Sequence, residues 1–168
     1  AAVDAARLDL DPEAEPVGTL RVAGFASAIR RSLLPVIHDL ACSHPQVHVH
    51  VREYEPIEAF DLLAGDDVDL ALTYDYNLAP ASLRDDLDAR HLWSVEWGLG
   101  VPAGDDAPEG DAAAVFAAYA EHPWIVNSRN TADDRAVRTL ASLAGFTPRI
   151  EHEIDSLDLV DDLIVAGL

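Results

Sequence analysis

Short apolar strands alternate with helical patterns in the first half of the chain, and this alternation constrains the fold more than any other feature. The predicted strands are TLRVAG (19–24), VHVHVRE (47–53) and VDLALTY (68–74), the last of them buried. After the first strand, the apolar residues of 28–44 recur at the spacing of one helix face. After the second strand, Pro56 and Gly65 mark the start and end of a short predicted helix. Pro35 predicts that the first helix is kinked or begins late. Such short βα steps predict a mostly parallel sheet with helices on its faces.

The second half of the chain repeats this rhythm after a long segment without helical spacing. Residues 87–104 predict one extended strand that leaves one sheet and enters another. The elements expected after it are helix 111–121, strand 123–127, helix 132–144, strand 148–154 and helix 157–166. The predicted fold is therefore α/β, with two small lobes over 17–93 and 94–168 and a cleft between them. Residues 1–16 are expected to be the remnant of a linker.

The net charge restricts the partners of this chain. It carries 31 acidic residues against 11 basic residues, all of them Arg, for a formal charge of −20 at pH 7. Such a surface repels phosphate backbones, so the chain by itself is not expected to bind DNA or RNA. No stretch is apolar enough to span a membrane and no signal-peptide pattern begins the sequence, so a cytoplasmic location is expected. The single cysteine, Cys42, excludes an internal disulfide and is expected to be a small buried residue rather than a nucleophile.

Ser27 lies in the turn between the first strand and its helix, where ligands bind in sheets of this kind. One interpretation makes Ser27 the N-cap of a helix beginning near Ala28, worth about 1 kcal/mol. The other makes it a ligand hydroxyl beside free backbone N–H groups, which suit a carboxylate. The two roles are compatible, because both follow from the same helix end.

Aromatic and acidic side chains follow the third predicted strand. Tyr74, Asp75 and Tyr76 either form a solvated loop or the floor of a pocket, with Asp75 available to an amine or hydroxyl of a ligand. The pocket is favoured, because aromatic and acidic groups at the carboxyl end of a strand are a common binding arrangement.

Asn127 and Ser128 follow the strand of the second half in the same way. They either cap a helix beginning near Ala132 or supply polar contacts to a ligand from the second lobe. Thr131 is the preferred cap of that helix. The expected effector-binding residues are Ser27, Tyr74, Asp75, Asn127, Ser128, Ala26, Pro56 and Tyr76.

No pattern in the sequence predicts a metal site, a cofactor or catalysis. His48 and His50 share one face of a strand, but no third ligand falls at a usual spacing, so surface histidines are favoured. The acidic stretch GDDVDLALTYD lacks the glycine and final glutamate of a calcium loop, and GLG at 98–100 is not followed by a helix. G-x-S-x-G, H-E-x-x-H and P-loop motifs are absent, so the chain is not expected to be an enzyme.

Several blocks resemble the effector-binding domain of LysR-type transcriptional regulators. GTLRVAGFASAIRRSLLPVI (18–37) resembles the first strand and helix of that family, and residues 44–76 resemble its next block. Residues 123–168 resemble its second lobe, including the AGF-x-P turn at 144–148 and the closing LV-x-x-LIVAGL. The upstream winged helix-turn-helix of such regulators is absent, and so is the final strand that returns to the first lobe.

The resemblance implies two Rossmann-like subdomains of the periplasmic-binding-protein type 2, with a small effector in the cleft. The effector of such regulators is often an organic acid or an amino acid. The resemblance also implies homodimers or homotetramers, and DNA binding through the absent N-terminal domain. The main alternative is a solute-binding protein of a transport system, which shares the two-lobe fold, and a third class is an enzyme built on the same lobes.

Overall fold

A computed structural model describes residues 15–104, 108–129 and 132–168. These residues form two compact units that divide after Tyr74. Each unit has parallel strands connected by helices, so the predicted α/β class is confirmed. The lobe boundary between residues 93 and 94 stays a prediction. None of the helices in the described ranges is long and apolar enough to cross a membrane.

The first unit is a three-stranded parallel sheet with helices in its connections. Its strands are β1 (Gly18–Gly24), β2 (Val47–Glu53) and β3 (Leu70–Leu72). Its helices are α1 (Ala26–Ala28), α2 (Leu34–Ser43) and α3 (Pro56–Ala64), with one π-helical turn at Ile29–Leu33 between the first two. The order β2-β1-β3 places β1 at the centre of the sheet, parallel to both neighbours.

The core of the first unit is small and lies on the central strand. Val22 and Ala23 of β1 are fully buried, and Ala59 of α3 and Val68 pack near them. The third strand was expected to be buried, and this is wrong. It is an edge strand of three residues, and Leu70 is 41% exposed, because only β1 pairs with it in the described part of the chain.

The helix after β1 begins earlier than its sequence predicts. Phe25 is its N-cap, with extended backbone angles and no side-chain cap hydrogen bond, so Ser27 lies inside the first turn and the predicted Ser27 cap is wrong. The π-helical turn ends where the Leu34 N–H donates to the Ile29 carbonyl, directly before Pro35, which has no N–H to give the helix. The expected burial of Cys42 is also wrong, since its side chain is exposed and α2 has no buried residue.

The second unit has two parallel strands and three helices. Its elements are α4 (Ala112–Ala118), β4 (Pro123–Val126), α5 (Ala132–Leu143), β5 (Arg149–Glu153) and α6 (Leu157–Val165). All five were predicted at nearly these positions. Trp124 joins helices and strands in the core of this unit, where Phe116, Tyr119, Val137 and Leu140 surround it.

The extended strand predicted over 87–104 is absent. This segment has extended or irregular backbone without a β-ladder, because no strand of the described residues pairs with it. Its apolar side chains still contribute to the second unit. Trp97 stacks on Tyr76 with ring centroids 5.0 Å apart, and Leu99 and Val101 pack against the core.

Candidate effector site

The carboxyl ends of the three strands in the first unit are held side by side. Gly24 at the end of β1 pairs with Glu53 on one side and Leu72 on the other. The Tyr54 N–H then donates to the Gly24 carbonyl at 3.0 Å. The residues that follow these strands therefore meet at one edge of the sheet, as the topology of parallel strands requires.

Phe25, Glu55 and Tyr74 form a contact network at this edge. The Tyr74 ring packs edge to face on Phe25, with centroids 4.7 Å apart at 79°. Its hydroxyl donates to Glu55 Oε2 at 2.7 Å in a partly buried hydrogen bond. The sequence analysis placed Tyr74 among the ligand contacts but overlooked Glu55 as the acid beside it.

Glu55 owes its position to the start of α3. It is the N-cap of that helix in a capping box, in which its side chain accepts from the Glu58 N–H and Glu58 Oε2 accepts from the Glu55 N–H at 3.1 Å. Pro56 follows as the first helical residue and is buried, which fits its fixed φ angle. Pro56 thus shapes this edge by packing, while Glu55 supplies its charge.

Ser27 lies in the uncapped first turn beside this network. The first intrahelical hydrogen bond runs from the Ile29 N–H to the Phe25 carbonyl at 3.0 Å, so the N–H groups of residues 26–28 have no acceptor within the helix. Ala26 is exposed, and Ser27 is half-buried. The Ser27 hydroxyl has no hydrogen-bond partner among the described residues. Backbone and side-chain donors are therefore available together at this position.

Asp75 and Tyr76 belong to the second unit. The Asp75 carboxylate accepts a hydrogen bond from the Ala81 N–H at 2.9 Å and is exposed, so it closes a loop. Tyr76 pairs with Ala79 in an isolated antiparallel bridge and stacks on Trp97. Both side chains thus have local structural roles, and their contact with a ligand stays a prediction.

Asn127 and Ser128 follow β4 and join the end of β5 through Asp155. The Ser128 N–H donates to Asp155 Oδ1 at 2.9 Å, and Arg129 Nε donates to Asp155 Oδ2 at 2.9 Å. Asn127 Oδ1 accepts from the Arg129 N–H at 2.9 Å and so closes the turn rather than capping α5. That helix begins at Ala132 as predicted, while its predicted cap, Thr131, lies outside the described residues.

The Asp155 carboxylate holds this turn in its ionised form. Its burial opposes ionisation, but the hydrogen bonds from Ser128 and the charge of Arg129 outweigh this effect and lower its pKa. A carboxylate whose pKa is lower in the folded protein stabilises it above the unfolded pKa of about 3.9, and this contribution disappears as the pH falls through the folded pKa.

The Asp155→Asn variant is therefore expected to be less stable than the wild type at neutral pH, by about 1 kcal/mol. The difference should shrink once the pH falls below about 4, since the wild-type carboxylate then becomes protonated. Urea unfolding of both proteins at stepped pH measures this, with the exposed Asp88→Asn as the control. A difference that persists at the lowest pH would contradict the role of the charge.

A small polar pocket opens beside the same turn. Its volume is about 190 Å³, and its lining consists of Asn127, Ser128, Asp134, Arg138 and Glu153. The last three come from α5 and β5, and the sequence analysis singled out none of them. Asp134 and Arg138 stand four residues apart on one helix, a spacing that predicts their ion pair but not a pocket.

Comparison with known proteins identifies the family. The sequence profile of the LysR substrate binding domain matches residues 13–168. The chain belongs to this family. A search of curated protein sequences found no match. This family membership agrees with the fold and family predicted from the sequence.

Solved structures of LysR regulators share the fold of this domain. The transcriptional regulator HinK from Pseudomonas aeruginosa matches 97% of this chain with a TM-score of 0.66 and 18% identity. The C-terminal domain of a probable LysR regulator from Rhodococcus sp. RHA1 matches 90% of this chain and 71% of its own, with a TM-score of 0.62 and 20% identity. The chain spans 54% of the HinK chain, about half its length.

A third similar structure is the effector binding domain of BenM, determined with its effector benzoate. It matches 90% of this chain and 68% of its own, with a TM-score of 0.54 and 14% identity. At this level of identity the likeness concerns the fold alone.

The paired histidines of β2 belong to the surface, as predicted. His48 and His50 are both exposed on the edge strand. Within the described ranges, no group of three His, Cys, Asp or Glu side chains lies close enough to hold a metal ion.

Proposed function

We propose that this domain senses a small effector for a LysR-type DNA-binding transcriptional regulator. The observation that carries the proposal is the uncapped first turn after β1. There the Ser27 hydroxyl, which has no hydrogen-bond partner in the described part of the chain, lies among backbone N–H groups without helical acceptors. Such donors bind an anionic or strongly polar group. The polar turn at Asn127 and Ser128 is a second proposed contact region, within the second unit.

The donors of the first turn favour an effector with an anionic or strongly polar group, and an organic acid or an amino acid meets this requirement. BenM binds benzoate, a small carboxylate, on the same fold. Effector binding would act by different affinity for two arrangements of the domain or its oligomer, which shifts their populations. Homodimers or homotetramers are the proposed oligomers.

DNA binding is assigned to a separate N-terminal winged helix-turn-helix of the same regulator. The formal charge of −20 on this chain opposes contact with phosphate backbones, so sensing and DNA binding fall to different parts. A regulator of this kind works in the cytoplasm. The family match favours this function over the solute-binding protein of a transport system, which shares the two-lobe fold.

Ser27→Ala is expected to weaken effector binding by about fivefold, the loss of one neutral hydrogen bond of about 1 kcal/mol. Its thermal stability should change little, because Ser27 does not cap the helix. A thermal-shift screen of small carboxylic acids, including benzoate, and of amino acids would supply the ligand, and calorimetric titration would measure the affinity.

Ser43→Ala is the matched control, since it removes a hydroxyl from the other end of the same helical segment. Ser43 is exposed and donates to the Asp39 carbonyl at 2.9 Å. Both variants should fold, and only Ser27→Ala should bind the effector more weakly. Equal affinities for the two variants would remove Ser27 from the site, and a screen with no ligand at all would count against the sensing function.

A further inference from the structure

Arg138 has an anchored position in the pocket of the second unit. Its Nε donates to both carboxylate oxygens of Asp134 at 2.9 Å each. Asp134 is 6% exposed and is the buried charged residue of this core, while the Arg138 side chain is 50% exposed. The buried carboxylate thus binds the guanidinium through its Nε–H and anchors Arg138 at the pocket wall.

The terminal nitrogens of Arg138 remain available. Among the described residues they donate no hydrogen bond, because the contact with Asp134 uses Nε. Asn127 gives its oxygen to the turn, which leaves its amide nitrogen as a second donor at the pocket wall. These donors match the planar oxygens of a carboxylate, the group that a guanidinium binds in bidentate fashion.

Glu153 places the opposite charge on the same pocket. It is the last residue of β5 and is exposed, and its charge acts on the Arg138 guanidinium. A ligand with only a carboxylate would meet attraction from Arg138 and repulsion from Glu153 and Asp134. A ligand with a carboxylate and an ammonium group satisfies both residues, since each of its charges then faces an opposite one.

The charge of the whole chain favours the same ligand class. A formal charge of −20 repels a free organic anion at distances within the Debye length of about 8 Å, but a zwitterion carries no net charge. The volume of about 190 Å³ is below the 300–1,000 Å³ of pockets that enclose drug-sized ligands, so the pocket suits one small charged end of a molecule.

We propose that the pocket of Asn127, Asp134, Arg138 and Glu153 holds the head group of an amino-acid-type effector. The carboxylate would lie on the terminal nitrogens of Arg138, the ammonium group on Glu153, and Asp134 would act as a positioning residue. This inference rests on the proposed sensing function, and it selects amino acids over simple organic acids as the effector class.

NMR titration of the ¹⁵N-labelled domain tests this with three probes that differ only in their charges. L-Alanine carries both groups, propionate only the carboxylate, and L-alanine amide only the amine. L-Alanine is expected to shift the amide signals of Asn127 and Ser128 at lower concentration than either other probe. Propionate binding as well as L-alanine, or no shift of these signals with L-alanine, would overturn the proposal.

Two pairs of variants locate the charges. Arg138→Gln is expected to weaken L-alanine binding by about tenfold, the value of a charge-assisted hydrogen bond, while Arg135→Gln on the same helix should have no effect. Glu153→Gln should remove the preference for L-alanine over propionate, and Glu151→Gln on the same strand should keep it. If Arg138→Gln and Arg135→Gln bind L-alanine equally well, Arg138 does not bind the ligand, and its ion pair with Asp134 only stabilises the helix.

A third substitution guards against misfolding. Arg138→Lys keeps a positive charge for Asp134 but loses the planar fork, so it should fold and bind L-alanine with intermediate affinity. An organic acid such as benzoate could bind with an affinity that Ser27→Ala lowers and Arg138→Gln leaves unchanged. In that case the sensing function stands and the amino-acid inference fails. If no small acid or amino acid binds at all, both fail.

Discussion

Replacing Trp124 by alanine is expected to cost the second unit about 3–5 kcal/mol of its free energy of unfolding. Trp124 is 5% exposed and stacks against Phe116 and Phe146, with ring centroids 4.9 and 5.9 Å away. Its indole N–H donates to the Tyr119 carbonyl at 3.2 Å in a buried hydrogen bond. Alanine removes the aromatic contacts, leaves a cavity and takes away one of the two donors to the Tyr119 carbonyl, which keeps the His122 N–H.

This loss is large against the stability of an ordinary domain, which is about 5–15 kcal/mol. The core of the second unit is also small, and Trp124 is its largest side chain. Urea unfolding followed by far-UV circular dichroism measures the effect as a lower midpoint. Because the chain forms two compact units, a first transition that belongs to the second unit alone is expected in the variant.

Trp93→Ala is the matched control, since it removes the same side chain from an exposed place. Trp93 is 50% exposed and lies in the segment without secondary structure. Its loss should change stability by no more than about 0.5 kcal/mol, as for most surface substitutions. Equal midpoints for the two variants would show that Trp124 is not the centre of this core.

The order and type of the regular elements could be predicted because they depend on local patterns. Strand β2 was recognised by its alternating residues and α5 by its apolar residues at helical spacing. The Glu55 cap and Pro56 mark the start of α3, and Gly65 marks its end. The prediction of a strand over 87–104 was wrong because strand formation depends on a non-local partner. An extended chain becomes a strand only by pairing with another strand, and residue patterns do not reveal whether a partner is present.

The candidate site was only partly predictable for a similar reason. Ser27 and Asn127 were predicted because each follows a parallel strand, and topology places each of them at the carboxyl edge of its own sheet. Glu55 had a local signal, the capping-box spacing to Glu58, which identifies an N-cap but not its bond to a tyrosine. The role of Arg138 depends on the burial of its partner on α5, which emerges only when the helix packs on its sheet.

The Gly24→Val substitution should disturb both stability and effector binding in the first unit. A Cβ atom at Gly24 would lie 3.2 Å from Leu72 Cβ, closer than most side-chain contacts allow, and 3.5 Å from Ile29 Cγ1, an ordinary contact. The two methyl groups of valine add to this crowding, so a loss of about 1–3 kcal/mol is expected, as for other overpacked cores. Leu72 belongs to the edge strand and Ile29 to the π-helical turn, so we expect the added methyl groups of valine to displace both elements.

The same displacement should reach the ligand, because Ile29 follows directly on the turn that carries Ser27. Gly24→Val should therefore lower effector affinity by more than Ser27→Ala does, while Gly24→Ala lies between the wild type and valine in both measurements. Gly98→Val is the control, since a Cβ there meets no atom within 4 Å. Thermal unfolding and calorimetric titration of the four proteins separate the two effects. A Gly24→Val variant that is destabilised but binds the effector normally would mean that the ligand does not depend on the turn after β1.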